Sequence, residues 1–357
     1  MRNHVLVAAI ATMSLGSASA FAEEARLRYT YPTEPVVYRF VTQSDNEMAG
    51  AMFGKGIKSS LKIASICQLK KLGTDGDSSK VELVYKSVKF RQDTPGGKSV
   101  YFDPASAQPK AENPDAVARM MGVLIDKPIV LTIDPRGHVM RVENMGAVLE
   151  SVKAAGADDP LGEATVETIV KPERLTRMLE DLFAMMPEGA VKTGSTWSTS
   201  STLIQPPVGS LKQTVAWTFA GEESHDKQSL VHLKGDQTIE VFEDKEKAGS
   251  RPAGSEVKAD PSESKGTLDV LFDAKAGLVQ RSSSSWGVKI DMAFKAENAS
   301  LKLQAKLKSA GTATLVEAGA PVDPDNVITP PDAAATKRST TTEMTPLGGK
   351  PSKDESH

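Results

Sequence analysis

The chain reads as an α+β protein, mainly antiparallel β with curved sheets, and with helices packed across one face. Three observations predict this. Segments on both sides of residues 171–197 alternate apolar and polar side chains, the period of a half-buried strand. Turn chemistry recurs between such segments, as at Asp134-Pro135-Arg136-Gly137 inside IVLTIDPRGHVMRVE. Between the two strand-rich regions, Leu175, Met178, Leu179, Leu182, Phe183 and Met186 fall on one helical stripe, and Pro187 and Gly189 stop it. A curved sheet with helices laid across one face would bury the stripe and the alternating strands together.

The first residues have the form of an export leader. Arg2 carries positive charge, Val5 to Met13 are apolar, and Ala18, Ala20 and Ala22 are the small residues that a signal peptidase needs. Residues 1–22 are therefore expected to be a cleaved signal peptide, which makes the protein periplasmic or secreted. No cysteine follows at a lipidation position, and no later apolar run approaches the roughly 20 residues of a membrane-spanning helix. The full chain has 43 basic and 46 acidic side chains, a net charge of −3, and loss of Arg2 with the leader makes it more negative. That balance argues against nucleic acid as a partner. Cys67 is the one cysteine, so no internal disulfide forms and stability rests on burial.

RLRYTY and VVYRFVTQ open the mature chain as extended pieces separated by Pro32 and Pro35. Residues 48–56, MAGAMFGKG, suit neither helix nor strand and are expected to form a mobile apolar connection. Two long strands follow around a GTDGDSS turn, then a short one at Tyr101 to Asp103. Asn113-Pro114-Asp115 starts a helix to about Ile125. The Asp134 hairpin comes next, then a helix from about Met145 to Ala155. Beyond Trp197 strands recur, a second hairpin turns at Asp273 to Gly277, and late strands alternate through Trp286 to Phe294 and Leu301 to Leu307.

The expected organisation is a first β-rich unit with one inserted helix (23–143), a helical connection (144–190), a second β-rich unit (191–317) and a disordered tail (318–357). Within the second unit, residues 244–265 are nearly devoid of apolar side chains and are expected to be a flexible insertion. LTIDPRGHVMRV and VLFDAKAGLVQRS share a strand, an Asp-led turn and a returning strand. Two related β units and coincidental antiparallel regularity both account for that.

Four passages resemble an exported bacterial family of unknown function, domain-of-unknown-function group number 6263. They are VVYRFVTQ, LTIDPRGHVMRVE, MMPEGAVKTGSTW and GTLDVLFDAKAGLV. Such proteins often carry Asp before the Trp region, where this chain has Ser195. The resemblance implies an envelope location and a β-rich fold, and supplies no activity.

No catalytic constellation is legible. His138, His225 and His232 have no His or Cys at a ligand spacing, so no metal is expected. Ser282 to Ser285 lack a nucleophile elbow and suit a solvated strand face. Cys67 is expected to be a packed, inert thiol. Asp134 and Asp273 sit where an Asp bonds turn amides. The Asp323-Pro-Asp-Asn stretch lacks the Gly and distal Glu of a calcium loop. Met48, Met52, Phe53, Met178, Leu182 and Met186 could line an adaptable apolar groove, against which stands plain core filling. No cofactor is expected. The sequence thus favours a non-enzymatic envelope protein cradling a lipid-like or other hydrophobic small molecule. A structural or protein-interaction module that binds another envelope protein is the alternative, and a hydrolase would need a polar pocket that nothing here supplies.

Overall fold

The computed structural model describes residues 24–50, 56–95, 99–105, 119, 122–156, 185–205, 209–225, 228–242, 255–296 and 299–330. In chain order the elements are β1 (Val36–Gly50), β2 (Ile57–Asp75), β3 (Ser78–Asp93), β4 (Ser99–Phe102), β5 (Pro128–Ile133) and β6 (Val139–Glu143). Helix α1 (Met145–Gly156) follows, then β7 (Thr196–Gln205), β8 (Gly209–His225), β9 (Gln228–Phe242), β10 (Ser255–Ala259), β11 (Lys265–Asp273), β12 (Leu278–Ala296) and β13 (Ala299–Val316).

All thirteen strands belong to one antiparallel sheet in the order β6-β5-β3-β2-β1-β13-β12-β11-β9-β8-β7, with β4 beside β3 and β10 beside β12. The two β-rich regions therefore share a single sheet. Their internal orders coincide: β6-β5-β3-β2-β1 in the first half and β12-β11-β9-β8-β7 in the second, with β13 between them. Both halves run as antiparallel meanders with one strand off the path, β4 beside β3 in the first and β10 beside β12 in the second.

The sheet curls, and the N-terminal segment shows how far. Tyr29 N donates to Pro135 O (2.8 Å) in the β5–β6 turn, and Thr30 N donates to Gly277 O (3.0 Å) in the β11–β12 turn. In a flat sheet those turns would stand six strand spacings apart, about 29 Å. Bonds from adjacent residues bring them within about 10 Å. Residues 25–31 thus form a strap across the concave side. Ala25 pairs with Val191 in both directions, and the Arg28 guanidinium donates to the carbonyls of Pro187 (2.7 Å) and Glu188 (2.5 Å). Leu27, Tyr29 and Tyr31, alternating along the strap, are buried against Phe272, Leu131, Leu233 and Trp217 in the main apolar cluster. Tyr29 stacks on Tyr31 and meets Phe272 edge-on.

The expected α+β class is corrected by this architecture. Of the described residues 67% are strand and 7% helix, and among them no helix is laid across a sheet face. The physical reason is the curl: strands far apart in the sheet pack on one another, and the strap fills the space between them. In α1 the buried positions Met145, Val148 and Val152 join the same cluster. The stripe Leu175 to Phe183 lies outside the described residues, and Met185 and Met186 beyond it are buried and non-helical.

Three local expectations also change. Met48 to Gly50 continue β1, paired with β13, where a mobile connection was expected. In place of a flexible insertion over 244–265, Ser255–Ala259 pair with β12 as β10, and the following turn is held by ion pairs of Lys289 with Asp260 and Glu263. Residues 243–254 lie outside the described residues. The start of the expected tail is packed: Ile328 is fully buried, and Asp323 accepts from the amides of Val327 and Ile328 (both 2.9 Å).

Candidate functional site

Strand register decides which side chains share the concave face. On β1 the inward residues after Tyr38 and Phe40 are Thr42, Ser44 and Asn46, because side chains alternate. Their β13 neighbours are Gly311, Ser309 and Leu307, and those in turn pair with Ser284, Trp286 and Val288 of β12. The Ser44 and Ser309 hydroxyls meet at 3.1 Å. A Cβ built on Gly311 would sit 3.4 Å from Ser284 Oγ and 3.5 Å from Thr42 Oγ1, which places all three on one surface. This row of short hydroxyl side chains separates the main cluster from a second one formed by Leu211, Ile239, Val288, Ile290, Met292 and Ala305. Thr42, in its middle, is exposed.

The row continues into β11 and β9 as Trp286, Gly266 and Gln237. Gly266 is required there by close approach: an added Cβ would lie 2.5 Å from Trp286 Cβ and 2.8 Å from Gln237 Oε1. The amide oxygen of Gln237 therefore lies over Gly266 beside the indole. Gln237 is only 6% exposed, and its amide is not among the buried polar atoms left without a partner, so what is exposed includes its polar end.

Charge is sorted by face in this band. From β2 to β7 the inward positions hold Ser, Thr, Asn, Gln, Gly and apolar residues, among them Leu61, Ile63, Gln213 and Thr199. The charged residues of the same strands, such as Asp45, Lys62, Lys265 and Lys308, alternate to the other face. An outer groove of about 550 Å³ crosses the ends of β1, β13, β12 and β10, lined by Lys258, Asp291, Lys302 and Gln304. Its charges are largely satisfied internally, Lys258 by Glu256 and Asp291 by Gln304.

Two of the six residues of the expected apolar groove are described. Met48 packs on the second cluster, whereas Met186, 1% exposed, belongs to the main cluster. Met52, Phe53, Met178 and Leu182 lie outside the described residues. Among the described residues no group of three or more His, Cys, Asp or Glu could hold a metal. His232 is buried and engaged at both ring nitrogens, Nδ1 by Glu223 (2.5 Å) and Nε2 by Asp269 (2.8 Å), so neither is left for a ligand. Asp134 Oδ1 accepts from the amides of Arg136 and His138 (2.8 Å each), and Asp273 Oδ1 accepts from Lys275 and Ala276 (2.9 Å each). Both carboxylates hold turns.

Burial pushes the Cys67 thiol up to about 12, against a smaller lowering by the Ser65 hydroxyl. Thiol reagents attack the thiolate. Native protein at pH 8 is expected to resist iodoacetamide and to label fully in urea; rapid labelling of the native fold would place Cys67 outside the core described here.

These features define a class: an antiparallel protein of one curled sheet, with an uncharged concave band between two apolar clusters. The chain belongs to the family of unknown function DUF6263, whose model matches residues 76–279. No curated protein matches it in sequence. Among solved structures it is similar to OpdQ of Pseudomonas aeruginosa at 6% identity, covering 80% of this chain and 100% of that one, with a TM-score of 0.21. A DUF1329 protein of Desulfovibrio piger matches at 9% identity, 80% and 88% coverage and a TM-score of 0.14. The MucA/MucB complex of Pseudomonas aeruginosa matches at 7%, 75% and 88% coverage and 0.17. Likenesses of this degree carry no argument here.

Proposed function

We propose that the protein is an exported, non-enzymatic binding protein of the bacterial envelope whose concave sheet face receives a hydrophobic or amphipathic small molecule. The observation that carries this reading is the band itself. It combines an exposed floor at Thr42, apolar clusters on either side and the Gln237 amide beside Trp286. Ligand sites are concave and mostly apolar, with a few placed polar groups that fix orientation. The leader-like residues 1–22 support the envelope location, and N-terminal sequencing of protein from the periplasm is expected to begin at Glu23.

Native mass spectrometry of detergent-free protein from its own envelope is expected to show a co-purifying small molecule. Re-addition of the matching envelope lipid fraction to stripped protein should raise Tm by several degrees, since ligand at a hundredfold excess over Kd contributes about 2.7 kcal/mol. Protein that emerges empty and melts at one temperature with every envelope lipid would end this reading.

A further inference from the structure

Resting on that reading, we propose that the concave band takes a neutral, hydroxyl-rich head group, a glycosyl unit carried on an apolar chain, with the Gln237 amide as one of its hydrogen-bond partners. Three observations meet here. First, the inward positions around Thr42, Ser44, Ser284 and Ser309 are uncharged among the described residues, although the same strands are rich in lysine and acids on the other face. A phosphate, carboxylate or ammonium moved into the band would leave water without a counter-charge, which is costly. A neutral polyol exchanges water for groups that both donate and accept, as serine and threonine hydroxyls do.

Second, the Gln237 amide, which can both donate and accept, reaches the surface beside Trp286, and only a glycine at 266 leaves room for its oxygen. Third, Trp286 stands over the same glycine, half-buried, next to the hydroxyl row. Its ring face suits the C–H face of a sugar ring, while its far side continues into the second apolar cluster, where a chain would lie. Position along one register line ties the three together: Ser44, Ser309, Trp286, Gly266 and Gln237 are successive neighbours across five strands.

The test compares n-octyl glucoside with n-octyl phosphate, which share a chain and differ in head group, by titration calorimetry on the full mature chain below micellar concentrations. Octyl glucoside is expected to bind at least about tenfold tighter than octyl phosphate. Gln237→Leu should weaken glucoside binding about three- to tenfold, the worth of one neutral hydrogen bond, and leave octyl phosphate unchanged. Thr42→Val, at an exposed position where folding is not at stake, should weaken the glucoside alone by a similar or smaller factor. Equal binding of the two heads, or glucoside affinity indifferent to both substitutions, overturns the head-group inference and leaves the binding-protein reading in place. Failure of both amphiphiles to bind, with no ligand in the native protein, overturns the two together.

Discussion

Gly277→Ala is expected to destabilise the fold by about 3 kcal/mol, against about 1 kcal/mol for Gly76→Ala. Both glycines sit in hairpin turns with positive φ, +67° and +58°, so a side chain meets the same backbone strain at each. Their surroundings differ. A Cβ at Gly76 would meet nothing within 4 Å, whereas one at Gly277 would stand 2.5 Å from Thr30 N and 2.6 Å from Thr30 Cβ. The strap must then retreat, which breaks the Thr30 N to Gly277 O bond and loosens Tyr29 and Tyr31 from Phe272. Urea midpoints of the two variants measure the difference, and limited proteolysis near residues 25–31 shows whether the strap has left. Equal losses would mean that the strap does not fasten the curl.

Sequence and structure diverge most at this strap. The alternation of Leu27, Tyr29 and Tyr31 is visible in RLRYTY, and all three are buried as a strand-like pattern implies. Yet the segment joins no sheet: its partners are turn carbonyls more than a hundred residues away, and nothing local marks them. Hairpins and their Asp-led turns were legible because a turn is specified within four or five residues, as the Asp134 and Asp273 bonds show. The length of the strands was not, since β8 and β12 run through polar stretches such as Ser282 to Ser285 that carry no apolar period. Pairing with neighbours on both sides holds those stretches extended.

The candidate site was half legible. Ser282 to Ser285 read as a wet strand face, and alternation indeed turns Ser283 and Ser285 outward, but it turns Ser282 and Ser284 onto the concave band. A usable signal lay in the sequence: in 42–46, 282–286 and 307–311, every second residue is uncharged while lysine, arginine or acid occupies places in the other register of the neighbouring stretches. Gln237 and Gly266 could not be found that way, because their meaning comes from register across three strands. Methionine placement is hard to read from sequence for the complementary reason. Methionines suit any irregular apolar gap, so their presence does not say which cluster they fill, and Met48 and Met186 fill different ones.

Asp323→Ala is expected to destabilise the protein by about 3 kcal/mol at pH 7, because it strips a buried ammonium of its nearest counter-charge. Lys89 projects from β3, its side chain only 9% exposed, with Asp323 at 3.1 Å, Asp103 at 3.8 Å and the Asn326 side-chain oxygen at 3.4 Å. Burial by itself would raise the Asp323 carboxyl, but the Ile328 and Val327 amides together with Lys89 outweigh it and hold the group below the ordinary carboxylate range. A carboxyl whose folded value is depressed contributes stability that is complete above its unfolded value and disappears as pH falls through the folded one. The advantage of the native chain over Asp323→Asn should therefore be full at pH 7, begin to shrink near pH 4 and vanish in stronger acid, as read from urea midpoints across that range. Asp103 also faces Lys89 and remains in both proteins. Because Arg91 donates to Thr329 O (3.3 Å) and Ile328 is buried on the same stretch, release should free residues 323–330 together. An Asp323→Asn deficit that stayed constant from pH 7 to pH 3, or no deficit at pH 7, would show that the segment is held by Ile328 alone.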